Sequence, residues 1–186
     1  ATLQNDVTIK VNVKRFLSLE QEELGVIDFK VTPLNSDAKI TFVPYLDSGI
    51  TNQDTNWEDQ FWNTTHKEVS DKQGFIESHT LKTFYHVCTF MESHLFLNGK
   101  KSETKGKPLQ KDMEVSISFE EHVAKGQTLN LQKYAGYTTS LNHDKAELIS
   151  AAKSVLEKAT SEGFEGLLNT QKQAWSKIWK MSDIQI

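Results

Sequence analysis

The stretch Thr83-Phe84-Tyr85-His86-Val87-Cys88-Thr89-Phe90-Met91-Glu92-Ser93-His94-Leu95-Phe96-Leu97, closed by Asn98-Gly99, decides the fold. Alternate residues of an extended chain point to opposite faces, and here both faces are apolar. That pattern belongs to a central strand, or to two consecutive strands, covered by another layer. Asn98-Gly99 then turns the chain.

The flanking segments extend the same reading. Upstream, Val7, Ile9, Val11 and Val13 alternate with Thr8, Lys10, Asn12 and Lys14, the period of a half-buried strand. Ile27, Phe29 and Val31 repeat it until Pro33-Leu34-Asn35, and Ile40 to Pro44 and Phe75 to Leu81 are further candidates. Downstream, Val115, Ile117 and Phe119 alternate with Ser116, Ser118 and Glu120. Lys125-Gly126 turns the chain, and Leu129, Leu131 and Ala135 continue a strand that ends near Tyr137. Strand after strand, with no helical period between them, indicates a β-sandwich of antiparallel sheets packed face to face.

From Asn142 the period changes. Leu148, Ile149, Ala152, Val155, Leu156 and Ala159 form one helical stripe, with Asp144 and Glu147 at capping-box spacing before it. Gly163 is placed to end that helix. A second helix is expected with Phe164, Leu167, Leu168, Trp175, Ile178 and Trp179 on one face. The fold class is therefore mainly β with a helical tail of two helices.

The chain has 186 residues, the size of one globular domain, and 37% of them are hydrophobic, too many for a disordered chain. No apolar run approaches the ~20 residues of a membrane helix, and no signal peptide opens the chain. Lys and Arg number 21 against 25 Asp and Glu, the wrong balance for a nucleic-acid binder. The single Cys88 leaves no intramolecular disulfide and fits a reducing compartment.

Familiar catalytic motifs are missing: there is no P-loop, no His-Glu-x-x-His and no nucleophile elbow. His79, His86, Cys88 and His94 are metal-type residues. On one strand, residues six and eight apart are separated by roughly 20 Å or more, too far to share an ion, so no metal is expected. Asp54, Glu58 and Asp59 cluster without an identifiable acid/base partner. The five lysines from Lys100 to Lys111 read as a solvated hairpin, and Asn63-Thr64-Thr65 is a glycosylation sequon that matters only in a secretory setting.

Thr51 to Asn63 has a different composition, with Trp57, Phe61 and Trp62 among amides and acids. Aromatic faces beside such groups are the materials of sugar recognition. The plainer alternative is that Trp57 and Phe61, four residues apart, are one helical turn packed on the sandwich. Asn52, Asp54, Trp57, Phe61 and Trp62 are the substrate-adjacent candidates.

Several segments together resemble a known family. Arg15-Phe16-Leu17-Ser18, Val31-Thr32-Pro33-Leu34-Asn35 and Pro44-Tyr45-Leu46-Asp47 resemble the N-terminal domain of glycoside hydrolase family sixty-five. Asn52-Gln53-Asp54 through Phe61-Trp62 is similar to its maltose and trehalose phosphorylase branch. Leu131-Gln132-Lys133-Tyr134 with Thr138-Thr139-Ser140 resembles its last sandwich strand, and Gly163 to Leu168 with Trp175, Trp179 and Ser182-Asp183-Ile184 its linker helices.

The resemblance implies a galactose mutarotase-like super-sandwich, two linker helices, a barrel of paired helices and a small C-terminal β domain. It also implies a cytoplasmic, commonly homodimeric enzyme that splits an α-linked glucose disaccharide, maltose first, with inorganic phosphate as co-substrate. The products are β-glucose 1-phosphate and glucose, made without organic cofactor or metal. The family's catalytic acid and phosphate site lie on the barrel, so no catalytic residue is carried over to this chain, which is expected to be inactive alone. Residues 1–140 are then the later part of an incomplete sandwich, and 141–186 the linker toward a barrel beyond Ile186. Disaccharide and phosphate are partners through that barrel; nucleic acid and membrane are not partners. An independent carbohydrate-binding sandwich, or a structural or dimerisation module, is the competing expectation.

Overall fold

The alternating segments need hydrogen-bonded neighbours and a covered face, and a computed structural model, which describes residues 6–51 and 60–182, supplies both. The strands are β1 (Ile9–Leu17), β2 (Leu24–Pro33), β3 (Ala38–Phe42), β4 (Tyr45–Asp47), β5 (Trp62–Val69) and β6 (Gln73–Thr80). There follow β7 (His86–Leu97), β8 (Lys100–Lys101), β9 (Lys107–Gln110), β10 (Glu114–Val123) and β11 (Leu129–Thr139). A 3-10 turn at Lys145–Glu147 leads into α1 (Leu148–Ser182). The large sheet has the order β1-β2-β11-β7-β6-β5, with β8 on β7; the small sheet has the order β3-β10-β4, with β9 on β10. All of these pairings are antiparallel.

Strand β7 is central, and its two apolar faces have separate destinations. Cys88 and Phe90 join Leu24, Val26, Phe75 and Tyr134 beneath Leu148, Ala152, Leu156 and Ala159 of α1. Met91 and Leu95 face the other way, into a core with Ile76, Leu129, Val115, Ile117 and Phe119. The result is a β-sandwich with a helical tail laid across the outer face of its large sheet. Each fully buried large side chain contributes roughly 1.5–3 kcal/mol, so the two cores together hold the three layers.

The structure departs from expectation in four places. Val11 and Val13 alternate as expected but are 44% and 46% exposed, because β1 is an edge strand with little covering its faces among the described residues. Trp62 opens strand β5 instead of lying in a loop. The capping box does not form, because Asp144 makes no side-chain cap; Thr138 Oγ1 ties the first turn of the helix to β11 by donating to the Leu148 carbonyl oxygen at 2.8 Å, which satisfies none of the free amides.

The expected pair of helices is one end-to-end element whose non-helical residue is Gly163, at φ 72° and ψ 168°. Its second half buries Phe164, Leu167, Gln171 and Ala174, whereas Trp175, Ile178 and Trp179 are exposed. Ile178 stands four residues beyond buried Ala174 on the same side, yet is 38% exposed. The stripe continues, but the sandwich beneath it has ended.

Candidate functional site

Along β2 and β11 the odd-numbered residues point toward the small sheet, where Phe29, Leu131 and Ala135 pack. Lys133 shares that inward parity. The small sheet stops at the three-residue β4, so part of the large sheet beside it is left open. A groove of about 790 Å³ results, lined by Arg15, Leu17, Ile27, Tyr45, Asp47, Ile50, Thr89, Lys133 and Tyr137 among others. Gly136 also lines it, and an added Cβ there would point the other way, 1.7 Å from the Glu23 carbonyl oxygen and 2.8 Å from the Phe90 ring under α1.

Lys133 Nζ donates to the Tyr45 carbonyl oxygen at 2.8 Å and lies 6.0 Å from the centre of the Tyr45 ring. Burial pulls its ammonium well below the usual lysine range, to about 8. The amine therefore loses its proton near pH 8, above which it can accept from as well as donate to an oxygen ligand. Asp47 Oδ1 accepts from the Gly49 amide at 2.8 Å, which sets the turn leading out of β4. Tyr45 and Tyr137 are exposed at the rim, next to a carboxylate, a hydroxyl and two cationic side chains.

The aromatic loop leaves from this rim. Ser48 Oγ and Thr64 Oγ1 are 2.7 Å apart, and Ser48 Oγ also donates to the Met113 carbonyl oxygen. These contacts tie the flanks of the segment, Ser48 and Thr64, to each other and to the turn before β10. Asn52, Asp54 and Trp57 lie outside the described residues, as do Glu58 and Asp59. Phe61 and Trp62 are half-buried: the Phe61 carbonyl accepts from the Leu81 amide, and Trp62 stands opposite Thr80 in the sheet. Neither lines the groove; from this side of the loop Ile50 reaches it.

The groove residues Arg15, Tyr45, Asp47, Thr89, Lys133 and Tyr137 were not legible as a site. The one local signal was Lys133, a charged residue at an inward position between Leu131 and Ala135.

The metal-type residues are dispersed. His79 and His86 face each other across β6 and β7 with ring centres 5.1 Å apart. Cys88 is fully buried beneath the helix, its thiol pushed up to about 12 by burial. His94 pairs with Glu92 at 2.9 Å. Among the described residues no three His, Cys, Asp or Glu side chains are grouped to hold a metal ion, and no helix is long and apolar enough to cross a membrane.

Comparisons with known proteins cover almost the whole chain. The profile described as "Glycosyl hydrolase family 65, N-terminal domain" matches residues 1–178. Maltose phosphorylase of Bacillus subtilis (strain 168) is 29% identical over 181 residues, covering 97% of this chain and 23% of that protein. Alpha,alpha-trehalose phosphorylase of Thermoanaerobacter brockii is 27% identical over 187 residues, covering 96% of this chain and 24% of that protein. A solved structure named "Putative kojibiose phosphorylase from human microbiome" superposes with a TM-score of 0.79 at 18% identity, covering 95% of this chain and 22% of that one. The chain thus spans about a quarter of the length of the relatives it matches.

Proposed function

Since the chain belongs to the glycosyl hydrolase family 65 N-terminal domain family, we propose that it is the accessory sandwich and linker of an inverting disaccharide phosphorylase. The proposed reaction is maltose plus phosphate to β-glucose 1-phosphate plus glucose, without organic cofactor or metal, in a cytoplasmic homodimer. An acid elsewhere in the longer protein protonates the glycosidic oxygen, and phosphate attacks the opposite face of the sugar where an inverting hydrolase would place water. The observation that carries this reading is the family match along residues 1–178, from β1 into the second half of α1.

Within that reading this chain does no bond-breaking. Its part is mechanical: the clamp between Ser48 and Thr64 presents the aromatic loop, and α1 carries the chain across the sandwich. Maltose is proposed ahead of trehalose and kojibiose on the higher identity to the maltose-named relative.

The test is an assay of β-glucose 1-phosphate with phosphate and each of maltose, trehalose and kojibiose. Turnover is expected from a longer protein carrying this chain, fastest with maltose, and none from the 186-residue chain. Release of the product by the chain alone, or by neither protein with any of the three sugars, would overturn the proposal.

A further inference from the structure

The face of the large sheet that carries α1 is divided by chemistry. Beneath the first half of the helix it is apolar. Farther along the same strands, at the same parity, stand Asp28 on β2, Asn130 and Gln132 on β11, Glu92 and His94 on β7, and Gln73 on β6. Asp28 and Glu92 are buried, and Asn130 is only 7% exposed.

These groups hold one another in place. Asn130 Nδ2 and Gln132 Nε2 donate to Asp28 Oδ1 at 2.8 and 3.3 Å, and Lys30 Nζ lies 3.0 Å from Asp28 Oδ2. The Tyr134 hydroxyl donates to Gln132 Oε1 at 3.1 Å. Gln73 Nε2 donates to Glu92 Oε2 at 2.7 Å, while His94 Nε2 sits 2.9 Å from Glu92 Oε1. Burial alone would raise the Glu92 carboxyl, but the bonds from His94 and Gln73 outweigh it and keep the carboxylate ionised. Planar amides and carboxylates locked in this way are pre-organised for a ligand with several hydroxyls.

A groove of about 450 Å³ opens above this network. Gln132, Tyr134, His94 and Phe96 form its floor, with Lys72, Lys101 and Glu157 at the sides and the Gly163 kink at one end. The volume falls within the ~300–1,000 Å³ typical of small-molecule sites. Two lysines are set against Glu92 and Glu157, so the lining carries no net charge when His94 is neutral and does not favour an anion. Donors, acceptors and an aromatic ring together suit a sugar, whose C–H face packs on the ring while its hydroxyls meet the polar groups. Beside the groove, Asn130 Oδ1 is a buried acceptor with no hydrogen-bond partner.

We propose that this groove is a non-catalytic binding site for an uncharged mono- or disaccharide, bridging the large sheet and the first half of α1. The geometry asks for an uncharged polyol; the choice of α-glucosides among them rests on the function proposed above. A bound sugar reaches Thr160 and Ser161 on the helix, so it also tightens α1 against the sheet.

Amide chemical shifts of the 186-residue chain, titrated with maltose, galactose, glucose 1-phosphate and inorganic phosphate, test this. Saturable shifts with maltose are expected at Gln132, His94, Phe96 and residues 157–163, with slower hydrogen exchange in that part of the helix. Gln132→Leu should weaken binding by about tenfold, the usual consequence of losing a hydrogen-bonding group at a buried site. Glu157→Gln, on the exposed side of the helix, should weaken it by a smaller factor and leaves the test intact if Gln132→Leu fails to fold. Shifts absent at saturating sugar, confined to the groove around Lys133, or unchanged in both variants would overturn the site. Tighter binding of glucose 1-phosphate or phosphate than of maltose would overturn it as well, in favour of an anion site. Preference for galactose supports the polyol site and removes the α-glucoside assignment. Absence of phosphorolysis in a longer protein touches only the function proposed above.

Discussion

Lys133 occupies an inward position on a strand whose other inward residues are apolar, and its ammonium is short of water there. Below pH 8 it is protonated in both the folded and unfolded chain, and the full cost of burying the charge falls on the fold. As pH rises from about 8 toward the ordinary lysine range, the folded chain sheds its proton first, so stability rises with pH. Cys88 and Tyr134 act in the opposite direction. Burial pushes both up to about 12, so the unfolded chain ionises first, the thiol from about pH 8 and the phenol from about pH 9, and this lowers stability. Between pH 8 and 9 the lysine contributes about 1 kcal/mol and the thiol removes about a third of it, so stability to urea should increase by about 0.5 kcal/mol. Lys133→Met should abolish that increase and make the chain more stable at pH 7. An equal rise in the variant would assign the effect to another group. In the sequence Lys133 stands only as one charged residue between Gln132 and Tyr134. Its partner Tyr45 is 88 residues away, a separation that no local pattern encodes.

The helix shows what a glycine does to an element. Buried Leu148, Ala152, Leu156 and Ala159 define one stripe, and an uninterrupted helix would carry it on through positions 163 and 166. The buried residues instead are Phe164, Leu167, Gln171 and Ala174, because Gly163 re-phases the stripe. Its φ of 72° with ψ of 168° belongs to glycine, and an added Cβ would meet nothing within 4 Å. Gly163→Ala therefore acts through backbone strain alone and should lower stability by about 1–3 kcal/mol.

In hydrogen exchange the loss should appear after the kink, where Gln171 Oε1 holds the Leu19 amide at 2.8 Å, and spare residues 148–162. Uniform deprotection along α1 would show that the two halves melt together. The break at Gly163 was legible from its position after an apolar stripe. The buried Thr138 hydroxyl that ties the helix start to the sheet was not, because it comes from β11, outside the helical segment.

For the whole molecule, α1 outruns the sandwich that carries it. Trp175 and Trp179 stack with ring centres 6.3 Å apart, and Trp179 is 62% exposed. Ile178 and Met181 extend the same uncovered apolar surface. Patches of this kind drive association. Sedimentation of the chain should show association that grows with concentration, and Trp179→Lys should suppress it without changing the thermal melt. A monomer at all concentrations would show the patch to be too small to act.

The sequence by itself determined the β-sandwich class, the switch to a helical tail after Asn142, the doubly apolar character of the segment that became β7, and the family. All of these follow from side-chain period and from short motifs. Tertiary structure alone decided which alternating faces are covered. Val11 and Val13 alternate as faithfully as Ile117 and Phe119, yet only the latter are buried, because β1 lies at the edge of the large sheet whereas β10 is the centre of the small one and faces the large sheet. It also decided the two grooves, since Lys133 meets Tyr45, and Asn130 meets Asp28, across 88 and 102 residues of chain. Period is local to a segment, whereas cover and contact depend on where the sheet ends.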